Sequence, residues 1–156
     1  MKLNNIQILI LRLSIGALFL SLGLGKIHEG WLNNPEPLTT SLTNYHQHAV
    51  GPQLYFLEHV AIPYERIWST LMAIGETAVG VSLTLGLLAR LSSLIAIFMV
   101  LNFHAATGNL FSLNFFGSPW ACLLLAGLLI VFLSRGGRWG GVDTLLATSN
   151  PKGALW

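Results

Sequence analysis

Four long apolar runs, separated by short polar breaks, leave this chain few ways to fold. They lie at about residues 6–25, 67–88, 91–111 and 119–134. A helical run of about 20 apolar residues matches the hydrocarbon thickness of a bilayer. In lipid, backbone N–H and C=O groups are satisfied only within helices or closed barrels. The runs predict an all-α polytopic membrane protein: a four-transmembrane-helix bundle forming one domain over residues 1–156. Composition agrees, since 53% of residues are hydrophobic and 9% are charged, with a mean hydropathy of +0.65. Ordinary soluble domains carry about 25% charged residues.

Local signals mark the ends. Pro63 stands just before the second span, where a helix start tolerates it. Ser134-Arg135-Gly136-Gly137 closes the fourth, a basic residue followed by glycines. Only Ala89-Arg90-Leu91 separates the second span from the third, so these two form an antiparallel hairpin. Met1-Lys2 and the apolar run behind it resemble a secretory signal. Arg12 interrupts that run, however, no A-x-A site stands near Gly23-Leu24-Gly25, and the run is too long. It reads as a retained transmembrane helix.

Charge sets the expected orientation. With the N-terminus inside, Lys2, Arg90, Arg135, Arg138 and Lys152 fall on the cytoplasmic side, against Lys26 and Arg66 outside. That asymmetry favours N-in, C-in. The expected location is the inner (cytoplasmic) membrane of a bacterium or archaeon. Trp31, Trp68 and Trp120 then flank the outer interface, and Trp139 and Trp156 the inner one. A long extracytoplasmic loop, about Lys26 to Arg66, joins the first two spans. Its stretch from Tyr45 to Ala61 is amphipathic, with Leu54, Leu57 and Ala61 at helical spacing, and predicts an interfacial or partly re-entrant helix over the bundle.

Within the spans, ionisable residues are almost absent, which singles out the few present. Glu76 sits near the middle of the second span. A carboxylate in hydrocarbon costs several kcal/mol unless it is paired, protonated or beside water. Counting from the cytoplasmic ends, Glu76 lies roughly 21 Å up its helix, His104 roughly 20 Å up the next and Arg12 roughly 9 Å up the first. His104 is therefore the best-matched partner in height, with Asn102 nearby as a hydrogen-bonding group and Arg12 as a more distant third member. Each also has a plain structural reading. Glu76 can pin two helices, His104 can donate to a helix carbonyl, and Arg12 can snorkel to headgroups. The sharper reading is a polar pocket at bilayer depth for a quinone, whose carbonyls need donors and whose reduction needs a nearby proton. A haem or chlorophyll on His104 is disfavoured, because no second intramembrane histidine exists to complete axial ligation.

Other functions find little support. A net charge of +2 without a basic stripe offers nothing to nucleic acid. Cys122 is the single cysteine, which excludes an internal disulfide, a redox pair and a thiolate zinc site. No metal site is expected from His28, His46, His48 and His59, since His46 and His48 would not share a helical face. Gly16, Ser21, Gly25, Gly75, Gly80 and Gly86 read as small residues that let helices approach.

Several segments together carry a family resemblance. Arg12-Leu13-x-x-Gly16-Ala17-Leu18-Phe19 with Gly23-Leu24-Gly25-Lys26 resembles the first helix of the DoxX/DoxD family, and Pro52, Tyr55, Leu57 and Glu58 its approach to the second. Gly75-Glu76-x-x-Val79-Gly80, continuing to Gly86-Leu87-Leu88-x-Arg90, resembles its central motif. Leu101-Asn102-Phe103-His104 with Gly108-Asn109, and Gly137 to Asp143, resemble its third helix and tail. The resemblance implies a four-helix membrane protein similar to the small subunit of thiosulfate:quinone oxidoreductase. It carries over no catalytic set. The expected function is an integral subunit of a quinone-linked oxidoreductase complex, with Glu76, His104 and Arg12 as candidate catalytic residues. With Asn102 these also form the candidate quinone pocket. Its expected partners are the lipid bilayer and other membrane subunits. The alternative is a non-catalytic accessory subunit of a larger respiratory or photosynthetic complex. A transporter ranks below both, since no inverted repeat is visible.

Overall fold

A computed structural model of the chain describes residues 5–112, 116, 118–138 and 140–149, without the side chains of 119, 146 and 149. Lys2, Trp139, Lys152 and Trp156, used above for orientation, lie outside the described residues. The described residues are helical, with no strand. Seven α-helices serve as landmarks: α1 Asn5–His28, α2 Glu36–His46, α3 Pro52–Phe56, α4 Glu65–Leu85, α5 Ala89–Ala106, α6 Pro119–Leu133 and α7 Asp143–Ser149. Among the described residues three helices, α1, α4 and α5, are long and apolar enough to cross a membrane. α6 is apolar but has 15 residues, a length of about 22 Å against a hydrocarbon core of about 30 Å.

The long helices pack in a circuit, α1 on α4, α4 on α5, α5 on α6 and α6 back on α1. A core of Ile15, Phe19, Val79, Leu83, Ala96, Val100, Leu128 and Val131 fills the middle. The closest packing is between α1 and α4, and its cause is legible in the residue sizes. A methyl added at Gly16 would lie 2.8 Å from the Thr84 nitrogen, and one at Gly80 would lie 2.6 Å from Leu20 Cα. One at Gly23 would meet the Thr77 backbone. Gly16, Leu20 and Gly23 on α1 thus face Thr84, Gly80 and Thr77 on α4. As the number rises along α1, its partner's number falls by the same amount, so the seam fixes one antiparallel register. Small residues at such a seam let two backbones approach and gain dispersion contact along their length.

Both ends of the circuit are closed by chain outside the long helices. At one end, Gly86 ends α4 in the left-handed region (φ 67°), and its N–H donates to the Leu83 carbonyl at 3.3 Å. The Leu87 N–H donates to Ser82 O at 2.9 Å, completing a Schellman stop. The turn therefore occupies residues 86–88, and Ala89-Arg90-Leu91, expected as the connection, forms the first turn of α5. At the other end, α2 and α3 fold over α4 and α5. Leu38, Leu42, Ala49, Leu57 and Ala61 form a second core against Trp31, Trp68, Met72 and Ala106. α3 continues through one π-helical turn, Leu57–Ala61. Its Gln53 side chain donates to Ala106 O at 3.1 Å, and the Ser69 hydroxyl donates to Trp31 O at 2.7 Å. Of the stretch expected as an amphipathic cover, Tyr45 to Ala61, residues 52–61 are helical, opened by Pro52, while α2, with Pro37 in its first turn, lies almost wholly before it and is a second helix that the expectation did not include.

Candidate functional site

Between the α2/α3 cover and the four long helices lies a cavity of about 590 Å³. Its walls are apolar and aromatic, including Phe19, Trp31, Tyr45, Trp68, Phe103 and Trp120. Lys26 from α1, Glu76 from α4, and Asn102 and His104 from α5 enter it, with the hydroxyls of Ser41 and Tyr45 from α2 and polar side chains of Thr107, Asn109 and Ser118 at its rim. A cavity of that size with few convergent polar groups suits an amphipathic small molecule.

Glu76 has a partner that the sequence reading did not name. Lys26 Nζ lies 2.5 Å from Glu76 Oε2, with the two side chains 18% and 13% exposed. The ammonium also lies 5.4 Å from the centre of the Trp31 ring, and Trp31 Nε1 donates to Glu29 at 2.9 Å. Lys26 was expected outside the membrane because the first span was ended at Gly25. Instead α1 runs on to His28, and the side chain reaches back along the helix into the bundle. The signal that finds it is the α1–α4 register. Continuing the Gly16–Thr84, Leu20–Gly80 and Gly23–Thr77 series puts Glu76 level with Leu24, a level that the Lys26 side chain reaches by leaning back toward the helix N-terminus.

The same register separates Arg12 from Glu76, against the expectation that it would be a third member of one pocket. Arg12 is 14 residues before Lys26 on α1, about 21 Å along the axis. It lies at the opposite end, 1% exposed. There Nη1 donates to Gly136 O and Nη2 to Gly140 O, each at 3.2 Å. Arg12 does not snorkel to headgroups either, because backbone carbonyls of the C-terminal segment surround it. Asp143 acts on it electrostatically and accepts hydrogen bonds from Leu88 N at 2.6 Å and Ala89 N at 2.9 Å. That carboxylate satisfies the N-terminal amides of α5 from a distant part of the chain. Val142 N and Asp143 N return the contact to Leu85 O and Gly86 O at 3.1 and 2.9 Å. Arg12 and Asp143 are the two halves of a structural clasp.

His104 and Glu76 line one cavity but do not stand at one height. α5 ends at Ala106, with Gly108 left-handed at φ 77°, so His104 falls in its last turn. Counted from the turn at 86–88, Glu76 lies about 14 Å up α4 and His104 about 22 Å up α5. His104 is buried, 6% exposed, and stands nearer the α2/α3 cover. Asn102 donates to Phe98 O at 2.9 Å, which occupies one of its amide hydrogens.

Elsewhere the chemistry is sparse. His46 pairs with Glu58 at 3.2 Å between α2 and the π-turn, and His59 stacks on Tyr55 with ring centres 4.2 Å apart. Both are exposed arrangements on the cover. Among the described residues, no three histidine, cysteine or acidic side chains gather as a metal site needs.

No curated protein and no solved structure matches the chain. One family does. The family described as TQO small subunit DoxD matches residues 7–153, nearly the whole length and including every residue of the cavity and the clasp, and the chain belongs to that family.

Proposed function

We propose that this integral membrane protein is a subunit of a quinone-linked oxidoreductase complex of the thiosulfate:quinone oxidoreductase kind, and that the cavity beneath α2 and α3 is its quinone site. The observation that carries the reading is the cavity itself. Its aromatic and aliphatic walls are interrupted by Lys26, Glu76, Asn102 and His104. A quinone has a flat head with two acceptor carbonyls and an apolar tail, and these walls fit that division. Lys26 and His104 are placed to donate hydrogen bonds to a head group. The Lys26–Glu76 pair keeps a proton donor and acceptor in the wall of this largely apolar site.

The family description as a small subunit supports a larger membrane or membrane-bound partner carrying the redox chemistry. In this reading α6 completes a fourth span, with both chain termini on the cytoplasmic side of the inner membrane. The α2/α3 cover then faces outward. Arg12 has no part in the site.

Quinone affinity of the purified protein tests the proposal. Lys26→Met and His104→Ala should each weaken binding of a short-tailed quinone about tenfold, the value of one charged or buried hydrogen bond. The melting transition should stay close to that of the parent. Unchanged affinity in both variants, with folding intact, would reject the cavity as the site. Loss of quinone affinity would also separate this reading from a scaffolding subunit, which should bind no quinone at all.

A further inference from the structure

The cavity under α2 and α3 is sealed on one flank of α1 and open on the other. Toward α4, the seam runs from Gly16–Thr84 to Gly23–Thr77, and the Lys26–Glu76 pair closes the next turn. Toward α6, α1 is held lower down. A methyl at Gly127 would lie 2.9 Å from Ile15 Cδ1, and one at Gly136, just past α6, 3.3 Å from Ile8 Cγ2. The numbers rise along α1 as they fall along α6, so these helices are also antiparallel. About two turns beyond Ile15, on the same face, stands Leu22, and about two turns before Gly127 stands Trp120. Had the contact continued, these two would bury each other. Instead Leu22 is 45% and Trp120 80% exposed, and both line the cavity.

The gap between them gives onto lipid. Leu18 on α1 and Leu123 on α6 flank it as exposed apolar side chains. Phe19, Val100 and Leu124 carry the apolar lining inward from it. The other half-exposed wall residue is Phe103. It shares a face of α5 with Met99, which packs against Gly75 of α4 one turn away, so that flank is held close to the cavity. Lys26 lies one turn, about 6 Å, beyond Leu22 toward the cover. A molecule that spans both levels is polar under the cover and apolar at the gap.

We propose, resting on the quinone reading above, that the gap between α1 and α6 is the seat of the ligand's tail and its way in from the bilayer. The head lies by Lys26 and His104. A long apolar chain runs past Leu124 and leaves between Leu22 and Trp120. In lipid the chain gains little from leaving one apolar surroundings for another, so the gap acts by shape. It gives a long tail a place to go that neither the α1–α4 seam nor the cover provides.

The full chain in lipid nanodiscs, titrated with a benzoquinone bearing a decyl chain and with the same ring bearing a methyl group, tests this. Leu22→Trp places a second indole in the gap opposite Trp120, on a side chain that faces lipid. It should weaken the decyl quinone about tenfold more than the methyl quinone, the cost of forcing volume into an occupied contact. Partition into lipid is the same for parent and variant and cancels from that comparison. A second measurement needs no substitution: a diazirine partway along the decyl chain should label Leu22, Leu124 or Trp120 of the parent, and excess decyl quinone should remove the label. Equal weakening of both quinones would overturn the inference and leave the cavity as a quinone site. So would competed label under the cover, at Leu38 or Leu42, or between α4 and α5, at Leu71 or Phe103. No affinity of the parent for either quinone would remove the quinone reading itself, and this inference with it.

Discussion

Arg12→Leu should lower the stability of the protein by about 3–5 kcal/mol, the cost of removing one member of a buried charged arrangement. In practice little folded protein should be recovered from membranes, and what is recovered should melt well below the parent in detergent. The reason lies in what Arg12 leaves behind. Its guanidinium holds Gly136 O and Gly140 O at 3.2 Å each, and offsets Asp143, itself 1% exposed. Without it, two carbonyls and a carboxylate stay buried with less to hold them. Asp143 also anchors the Leu88 and Ala89 amides, so the α4–α5 turn should loosen with the C-terminal segment. Arg12→Lys should recover only part of the loss, because an ammonium cannot spread its donors in the planar fork that reaches both carbonyls. A parental melting curve for Arg12→Leu would show that the clasp is ornamental.

Gly80→Ala should cost about 1–3 kcal/mol, the usual penalty for forcing volume into a packed contact. The added methyl would lie 2.6 Å from Leu20 Cα, and backbone cannot move aside as a flexible side chain can. Gly25→Ala supplies the comparison on α1. Nothing lies within 4 Å of a methyl there, so the change should be neutral or gain up to about 1 kcal/mol from helix propensity. Thermal melts of the two variants side by side separate a seam that sets register from a general intolerance of larger residues. Equal effects at both positions would contradict the seam.

Much of this architecture is legible in the residues. The apolar runs locate the long helices, and Glu76 marks the place where something polar must gather. The α4–α5 hairpin follows from the shortness of the break between the two runs, expected at Ala89-Arg90-Leu91 and found at residues 86–88. What was illegible is mostly a matter of where helices stop. Lys26 stands one residue past the end of the first apolar run, where a lysine is ordinarily interfacial, and nothing in the local sequence marks it as the partner of Glu76. Leu87 and Leu88 extend the apolar pattern of α4, though Gly86 ends the helix at Leu85, which puts Glu76 lower than the apolar run suggests and out of level with His104. Arg12 drew attention for the right reason, a charge amid apolar residues. Its partners are backbone carbonyls and an aspartate more than 120 residues away, and no local spacing reveals those. Gly16, Gly23 and Gly80 mark a close helix contact in the sequence, but which residues they face, and so the levels of Lys26 and Arg12, emerges only from the packed helices.

The proposed role of Lys26, Glu76 and His104 requires that a quinone enter the cavity they line. A photoreactive quinone, activated in the membrane and followed by mass spectrometry of the labelled peptides, tests that most directly. Label should appear in the segments carrying Lys26 and Trp31, Trp68 to Glu76, and Met99 to His104, and excess unmodified quinone should remove it. Label confined to outward-facing residues such as Ile10, Leu71 and Leu123, or label that excess quinone leaves in place, would contradict the assignment of the cavity.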